Sequence, residues 1–362
     1  MSNTNELTVI LNEIVHKYIK EYFNVYVPKA QYSEKPAVVI NKDLVSEVVP
    51  KKVNKEIFAI DGSSRSITSA GGIISISTIA SSSSSFPIYG VYPSLFGMRS
   101  LDLDKPFIAL APSAHSKGSL NPYLYSSKYV TTVSLDGTPF QSTQEPERIE
   151  TELRAILETE GLKKLKDKGL VLVDGPLFPS YTFLPEKAKK IIIKRRIEII
   201  DDNYIGVVKR LDKSDLLIKT LSNNPELISR YRVDPRGFLS DEAFLYQLVR
   251  FNFNPPYPII SVGPLLKEVD DKVKIYVNYL IFPLHKYLPK FSILRMESLN
   301  REAVAYISSL KFTTEGIPSI LALADKASKE LSAGIMRYIV FSIEKIGLQE
   351  SFKGKFEVLN VV

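Results

Sequence analysis

Two aspartates stand where buried strands would deliver them to a sheet edge. Residues 57–60 (IFAI) and 170–173 (LVLV) are short apolar runs, and each ends in an Asp-Gly step, Asp61-Gly62 and Asp174-Gly175. Glycine lets the chain turn sharply and leaves the aspartate exposed. If the two strands are neighbours, the carboxylates meet. Like charges a few ångström apart drive each other towards the protonated form, and a divalent cation removes that conflict. The alternative is a pair of ordinary strand-end turns, since Asp-Gly is a common turn dipeptide.

The rest of the composition narrows the chemistry. There are no cysteines, which excludes disulfides, zinc–thiolate sites and cysteine nucleophiles. The three histidines, His16, His115 and His285, are far apart in sequence. A metal site here must be built mainly from carboxylates, the donor set of Mg²⁺ and Mn²⁺.

A third carboxylate is expected from the helix before the second strand. That helix opens at Pro146 and carries Ile149, Leu153, Ile156 and Leu157 as its apolar stripe. It runs to Gly161, or on to about Lys168. Antiparallel to strand 170–173, and stopped at Gly161, it lifts Glu152 by about 13 Å, level with Asp174. Glu160 competes if the helix is longer. Glu158 falls on the opposite face and reads as solvated.

The elements that must hold these residues follow from periodicity. Residues 5–27 read as one amphipathic helix, followed by a polar, proline-punctuated stretch to about residue 54. Strands are expected at 57–60, at 72–80, where Ile alternates with Ser, and at 129–134, forming an antiparallel meander. The run Ser81 to Ser85 reads as a surface turn. A basic helix spans 185–200, and a strand covers 204–208, followed by Lys209-Arg210. Residues 211 to about 252 are helical in pattern. Strands return at 273–282 and 291–296, and 318–346 is a long helix, with Gly334 a weak point. The predicted fold is α/β: an RNase H-like mixed sheet flanked by helices. The predicted organisation is an N-terminal helical extension over 1–50 and one domain over 51–362, with a helical insertion at about 211–255.

The net charge is +7, which favours polyanionic partners such as nucleic acid. Lys187–Arg196 and Lys209-Arg210 are candidates to track phosphates, and Tyr231 and Phe238 to stack unpaired bases. The alternatives are a charged amphipathic helix and ordinary core aromatics. No apolar stretch is long enough to span a membrane, and the N-terminus lacks the layout of a secretory signal, so the expectation is a cytoplasmic protein.

Several short motifs occur in a fixed order: FAIDGSS (58–64), Arg148…Glu152-Leu153, LVLVDGPL (170–177), IGVVKR (205–210), SDEAFL (240–245), LRME (294–297) and GIPSILALADKAS (316–328). Together, over about residues 55–330, they resemble the NurA family of archaeal and bacterial nucleases. The resemblance implies an RNase H-like fold and a Mn²⁺-dependent deoxyribonuclease, with Mg²⁺ the alternative cation. It also implies a homodimer working with a HerA-type hexameric ATPase in DNA end resection and recombinational repair. By position, Asp61, Glu152 and Asp174 would hold the metal, and Lys209 would hold the scissile phosphate. The family usually carries a histidine in the C-terminal helix, and Asp325 occupies that slot here. Asp325 can ligate a hard cation, so it joins the predicted metal set; the substitution also fits a catalytically weak or inactive DNA-binding or assembly subunit. Nothing in the sequence separates a DNA substrate from an RNA one.

Overall fold

The computed structural model describes residues 3–19, 34–41, 43–69, 71–94, 97–113, 122–144, 146–270 and 273–346. In chain order its strands are β1 (Val38–Val39), β2 (Val45–Glu47), β3 (Ile57–Ser69), β4 (Gly72–Ser83), β5 (Gly90–Tyr92), β6 (Ile108–Pro112), β7 (Val130–Thr131), β8 (Leu170–Asp174), β9 (Tyr204–Val208), β10 (Ile260–Asp270), β11 (Val273–Pro283) and β12 (Phe291–Ser298). The helices are α1 (Asn3–Glu13), α2 (Pro146–Leu165), α3 (Glu186–Ile199), α4 (Leu216–Ser222), α5 (Pro225–Ile228), α6 (Asp241–Asn252), α7 (Ala303–Ser308) and α8 (Ser319–Lys345).

All twelve strands join one mixed sheet in the order β1-β10-β11-β12-β9-β8-β3-β4-β6-β7, with β2 on β10 and β5 on β4. Its centre is an antiparallel meander, β3-β4-β6, continued on the other side of β3 by β8 and β9, both parallel to it. The crossover from the meander into β8 is α2. This is an RNase H-like arrangement within a mixed α/β fold. The strands β10, β11 and β12 extend the sheet beyond β9.

Side-chain alternation decides what each face meets. On β3 and β8, Phe58, Ile60, Val171 and Val173 pack with Leu157 and Leu162 of α2. Ala59, Leu170 and Leu172 pack with Leu321 and Ala324 of α8. The helices α2 and α8 therefore cover opposite faces. Asp61 and Asp174 share the parity of Ala59 and Leu172, which turns both towards α8.

Several expectations need correction. The strand at 57–60 does not end at Asp61-Gly62; β3 runs on to Ser69, paired with β4 from Phe58↔Ser83 to Ser69↔Gly72. Ser81, Ser82 and Ser83 are buried strand residues paired with Ile60, Ala59 and Phe58 of β3, and α8 lies over Ser82, whose hydroxyl donates to the Ile320 carbonyl. The third meander strand is β6; of the expected 129–134 strand, Val130–Thr131 pairs parallel to β6 and Val133 makes an isolated antiparallel bridge with Pro139. The helix α2 passes through Gly161 because that glycine is a packing position. A Cβ there would lie 2.6 Å from Ile60 Cδ1. Residues 34–41 and 43–50 are not helical: β1 and β2 pair with β10. Of the helix expected over 5–27, α1 and a π-helical turn over Ile14–Ile19 are seen; the remainder lies outside the described residues. Residues 211–252 do form short helices, and α8 matches the long C-terminal helix and continues through Gly334.

Candidate functional site

Asp61, Asp174 and Asp325 come from β3, β8 and α8, and carboxylate oxygens of all three lie within 4.8 Å of one another. Each is delivered differently. The parallel pairing of Ile57–Ile60 with Leu170–Val173 sets Asp61 and Asp174 side by side at the point where β8 ends. Beyond that point β3 continues and β8 does not, because Gly175 adopts φ +94° and turns the chain away. Asp325 lies in the second turn of α8, whose neighbours Leu321 and Ala324 pack against the sheet.

Cations and hydroxyls are distributed unevenly among the three. Lys209 Nζ stands 2.6 Å from Asp174 Oδ2 and 3.4 Å from Asp325 Oδ1. Lys329 Nζ adds 2.9 Å to Asp325 Oδ2. Among the described residues no lysine or arginine forms an ion pair with Asp61; Ser328 Oγ donates to its Oδ2 at 2.9 Å. The consequences follow from charge. Burial, with Asp174 and Glu158 nearby, pushes the Asp61 carboxyl up to about 8. Burial also raises Asp174, and Lys209 only partly offsets it. Burial acts upward on Asp325 too, but hydrogen bonds and charge from Lys329 and Lys209 outweigh it and hold it below its usual value. The Lys209 ammonium is held protonated by Asp174 and Asp325 against its own desolvation.

Glu152 does not join this group. Its side chain is buried on α2, where Oε2 accepts from the Ser134 hydroxyl at 2.7 Å and Oε1 from the Leu135 amide at 2.6 Å. The reason is twofold: α2 covers the face away from Asp61 and Asp174, and it runs about one turn beyond Gly161, which shifts every residue along it by about 6 Å. Glu160 is no substitute, since it faces Lys105 at 3.9 Å. The α2 carboxylate that approaches the centre is Glu158, read from the sequence as solvated. It reaches past Gly62, whose Cβ would lie 2.9 Å from Glu158 Oε1, and its charge contributes to raising both Asp61 and Asp174. Glu158 stands outside the tight group of three.

Other candidates divide. Lys209 lies in the centre and Arg210 is exposed beside it. Lys187, Lys190 and Lys194 are exposed on α3, but Arg196 is completely buried and is removed from any surface track. Tyr231 and Phe238 are half-buried and pack against the main core, Phe238 edge-on to Phe244 with ring centroids 5.8 Å apart. Ser328 was missed; its only sequence signal is its place three residues after Asp325, on one helical face.

Oxygen donors converging from three segments fit a hard divalent ion. No helix among the described residues is long and apolar enough to cross a membrane.

Comparison with known proteins follows this geometry. A search of curated proteins finds no match. Among solved structures, the chain is similar to the NurA nuclease from Sulfolobus solfataricus, at 14% identity over 95% of each chain with a TM-score of 0.46. It is similar to NurA bound to dAMP and manganese, at 11% identity over 90% of this chain and 92% of that one, TM-score 0.37. It is also similar to the catalytic domain of human endonuclease V, at 11% identity over 80% and 92%, TM-score 0.33. A family model described as the NurA domain matches residues 55–330, the span that holds Asp61, Glu158, Asp174, Lys209 and Asp325. The chain belongs to the NurA family.

Proposed function

We propose that this protein is a divalent-cation-dependent nuclease that hydrolyses phosphodiester bonds in DNA. The observation that carries the reading is the convergence of Asp61, Asp174 and Asp325 within 4.8 Å. Asp61, Asp174 and Asp325 would hold the ion, with Glu158 as a further carboxylate at the Gly62 side. A divalent cation there supplies an acidified water and neutralises charge on the leaving oxygen. Lys209, now paired with Asp174 and Asp325, carries a positive charge at the same place and is suited to hold a phosphate oxygen. Ser328 keeps the Asp61 carboxylate oriented. Family membership supports Mn²⁺ as the ion, with Mg²⁺ the alternative. It also supports a homodimer and a role with a HerA-type hexameric ATPase in DNA end resection and recombinational repair.

The test is cleavage of end-labelled single-stranded and duplex DNA with Mn²⁺, with Mg²⁺ and with chelator. Cleavage with a divalent cation, abolished by chelator and by Asp61→Asn or Asp174→Asn in folded protein, is expected. Full activity in both variants would remove the acidic centre from the reaction. One observation favours a second reading, a catalytically weak or inactive subunit: Asp325, in the slot where the sequence resemblance implies a histidine, is already paired with Lys209 and Lys329. No cleavage under any of these conditions would favour it.

A further inference from the structure

Arg196 has no exposed surface. A guanidinium tolerates that only when its donors are matched. Nη2 donates to Glu158 Oε2 at 2.8 Å, Nη1 to the Leu177 carbonyl at 2.9 Å, and Nε to Thr159 Oγ1 at 3.2 Å. These partners come from two sides of the acidic centre. Glu158 and Thr159 belong to α2, whereas Leu177 belongs to the turn that leaves Asp174. That turn is also held from β12 and from β9: the Leu177 amide donates to Glu297 Oε2 at 3.1 Å, and the Gly175 amide to the Val207 carbonyl at 2.9 Å.

One oxygen of Glu158 is thereby taken. The other, Oε1, lies against Gly62, next to Asp61. Its contact with Arg154 Nε is longer, 3.7 Å, and involves a far more exposed side chain.

We infer that Arg196 is a positioning residue of the acidic centre. It ties Glu158 Oε2 and the Asp174 turn into one register and leaves Glu158 Oε1 against Gly62, the residue that follows Asp61. This rests on the reading of the centre as a divalent-cation site. It gives the most buried cation of α3 a role that no exposed lysine of that helix can share. Side chains that orient metal ligands in this way typically change metal affinity or activity by about 10–100-fold when lost.

The test uses the full chain and two readouts: Mn²⁺ binding by calorimetry without DNA, and cleavage kinetics across a salt series. Arg196→Met is expected to weaken Mn²⁺ binding by about 10–100-fold and to lower kcat, with KM for DNA and its salt dependence unchanged. Arg196→Lys, which keeps the charge and one donor, recovers part of the loss. Gly62→Ala leaves Arg196 intact but intrudes on Glu158 Oε1, and it too weakens Mn²⁺ binding. Binding within twofold of wild type in Arg196→Met overturns the inference, as does a loss confined to KM with a shallower salt dependence, which would make Arg196 a phosphate contact. If Arg196→Met does not fold, wild-type binding in both Arg196→Lys and Gly62→Ala overturns it equally. Wild-type protein whose Mn²⁺ binding is indifferent to Asp61→Asn refutes the centre itself, and the inference falls with it.

Discussion

At the scale of single residues, charge compensation separates the three aspartates. Asp174 and Asp325 have lysines, whereas among the described residues Asp61 has the Ser328 hydroxyl; burial, with Asp174 and Glu158 nearby, pushes its carboxyl up to about 8 from an ordinary 3.8. The folded value lies above the unfolded one. Between the two, the folded state holds a proton that the unfolded chain has lost, so stability falls as pH rises through that window. Without divalent cation, Tm should therefore fall more steeply towards pH 8 in wild type than in Asp61→Asn, and Mn²⁺ at about pH 8 should restore it in wild type alone. Parallel Tm profiles for the two proteins would contradict this. Glu152 makes the opposite case. It satisfies the Ser134 hydroxyl and the Leu135 amide in a buried position. Glu152→Ala should cost about 1–3 kcal/mol by urea denaturation while leaving the cleavage rate per folded molecule unchanged. A loss of activity without loss of stability would return Glu152 to the centre. That Asp61, Asp174, Asp325 and Lys209 would come together was legible because strand ends and family motifs mark them. Glu158 was not, because choosing among glutamates on one helix needs its length to within a turn, and Gly161 gave a false end.

At the scale of elements, the site depends on where strands stop relative to one another. Both Asp-Gly steps look alike in sequence, yet β3 passes straight through Asp61-Gly62 while β8 ends at Asp174. The difference is tertiary: β4 pairs with β3 along its whole length and keeps it extended, whereas Gly175 turns β8 away. Local propensity carries no record of that pairing partner. The β8 turn is in turn seated on β9 at Gly206, where a Cβ would lie 2.7 Å from the Leu177 amide nitrogen and 2.8 Å from the Gly175 carbonyl oxygen. Both obstacles are backbone atoms and cannot swing aside. Gly206→Ala should therefore destabilise by about 1–3 kcal/mol despite alanine's lower entropy cost in a strand, and it should weaken Mn²⁺ binding as well, because the displaced turn carries Asp174. Unchanged stability would mean that the turn yields more readily than its hydrogen bonds to Val207 and Glu297 indicate.

At the scale of the whole molecule, a meander followed by a helix and a further strand could be anticipated, but neither the third meander strand, β6, nor the width of the sheet could. The strands β1, β2 and β10 went unrecognised because they are short or lie in charged, proline-interrupted sequence, and their pairing is long-range. Charge was legible only in total. The +7 excess says that a polyanion is attracted, not where it lies. Burial sorts the basic helix: Arg196 points inward, while Lys187, Lys190 and Lys194, spaced three and four residues apart, share an exposed face of α3. If those lysines neutralise phosphates, each contributes a slope of about 0.7–0.9 in log affinity against log salt. Replacing all three with glutamine should therefore weaken DNA binding at low salt and flatten the salt dependence by up to about 2–3, with Mn²⁺ affinity untouched because no carboxylate of the centre has moved. Fluorescence anisotropy with labelled single-stranded DNA across a salt series reads both quantities. A slope equal to that of wild type would place the phosphate track on another face, with Lys209, Arg210 and Lys329 as basic residues beside the acidic centre.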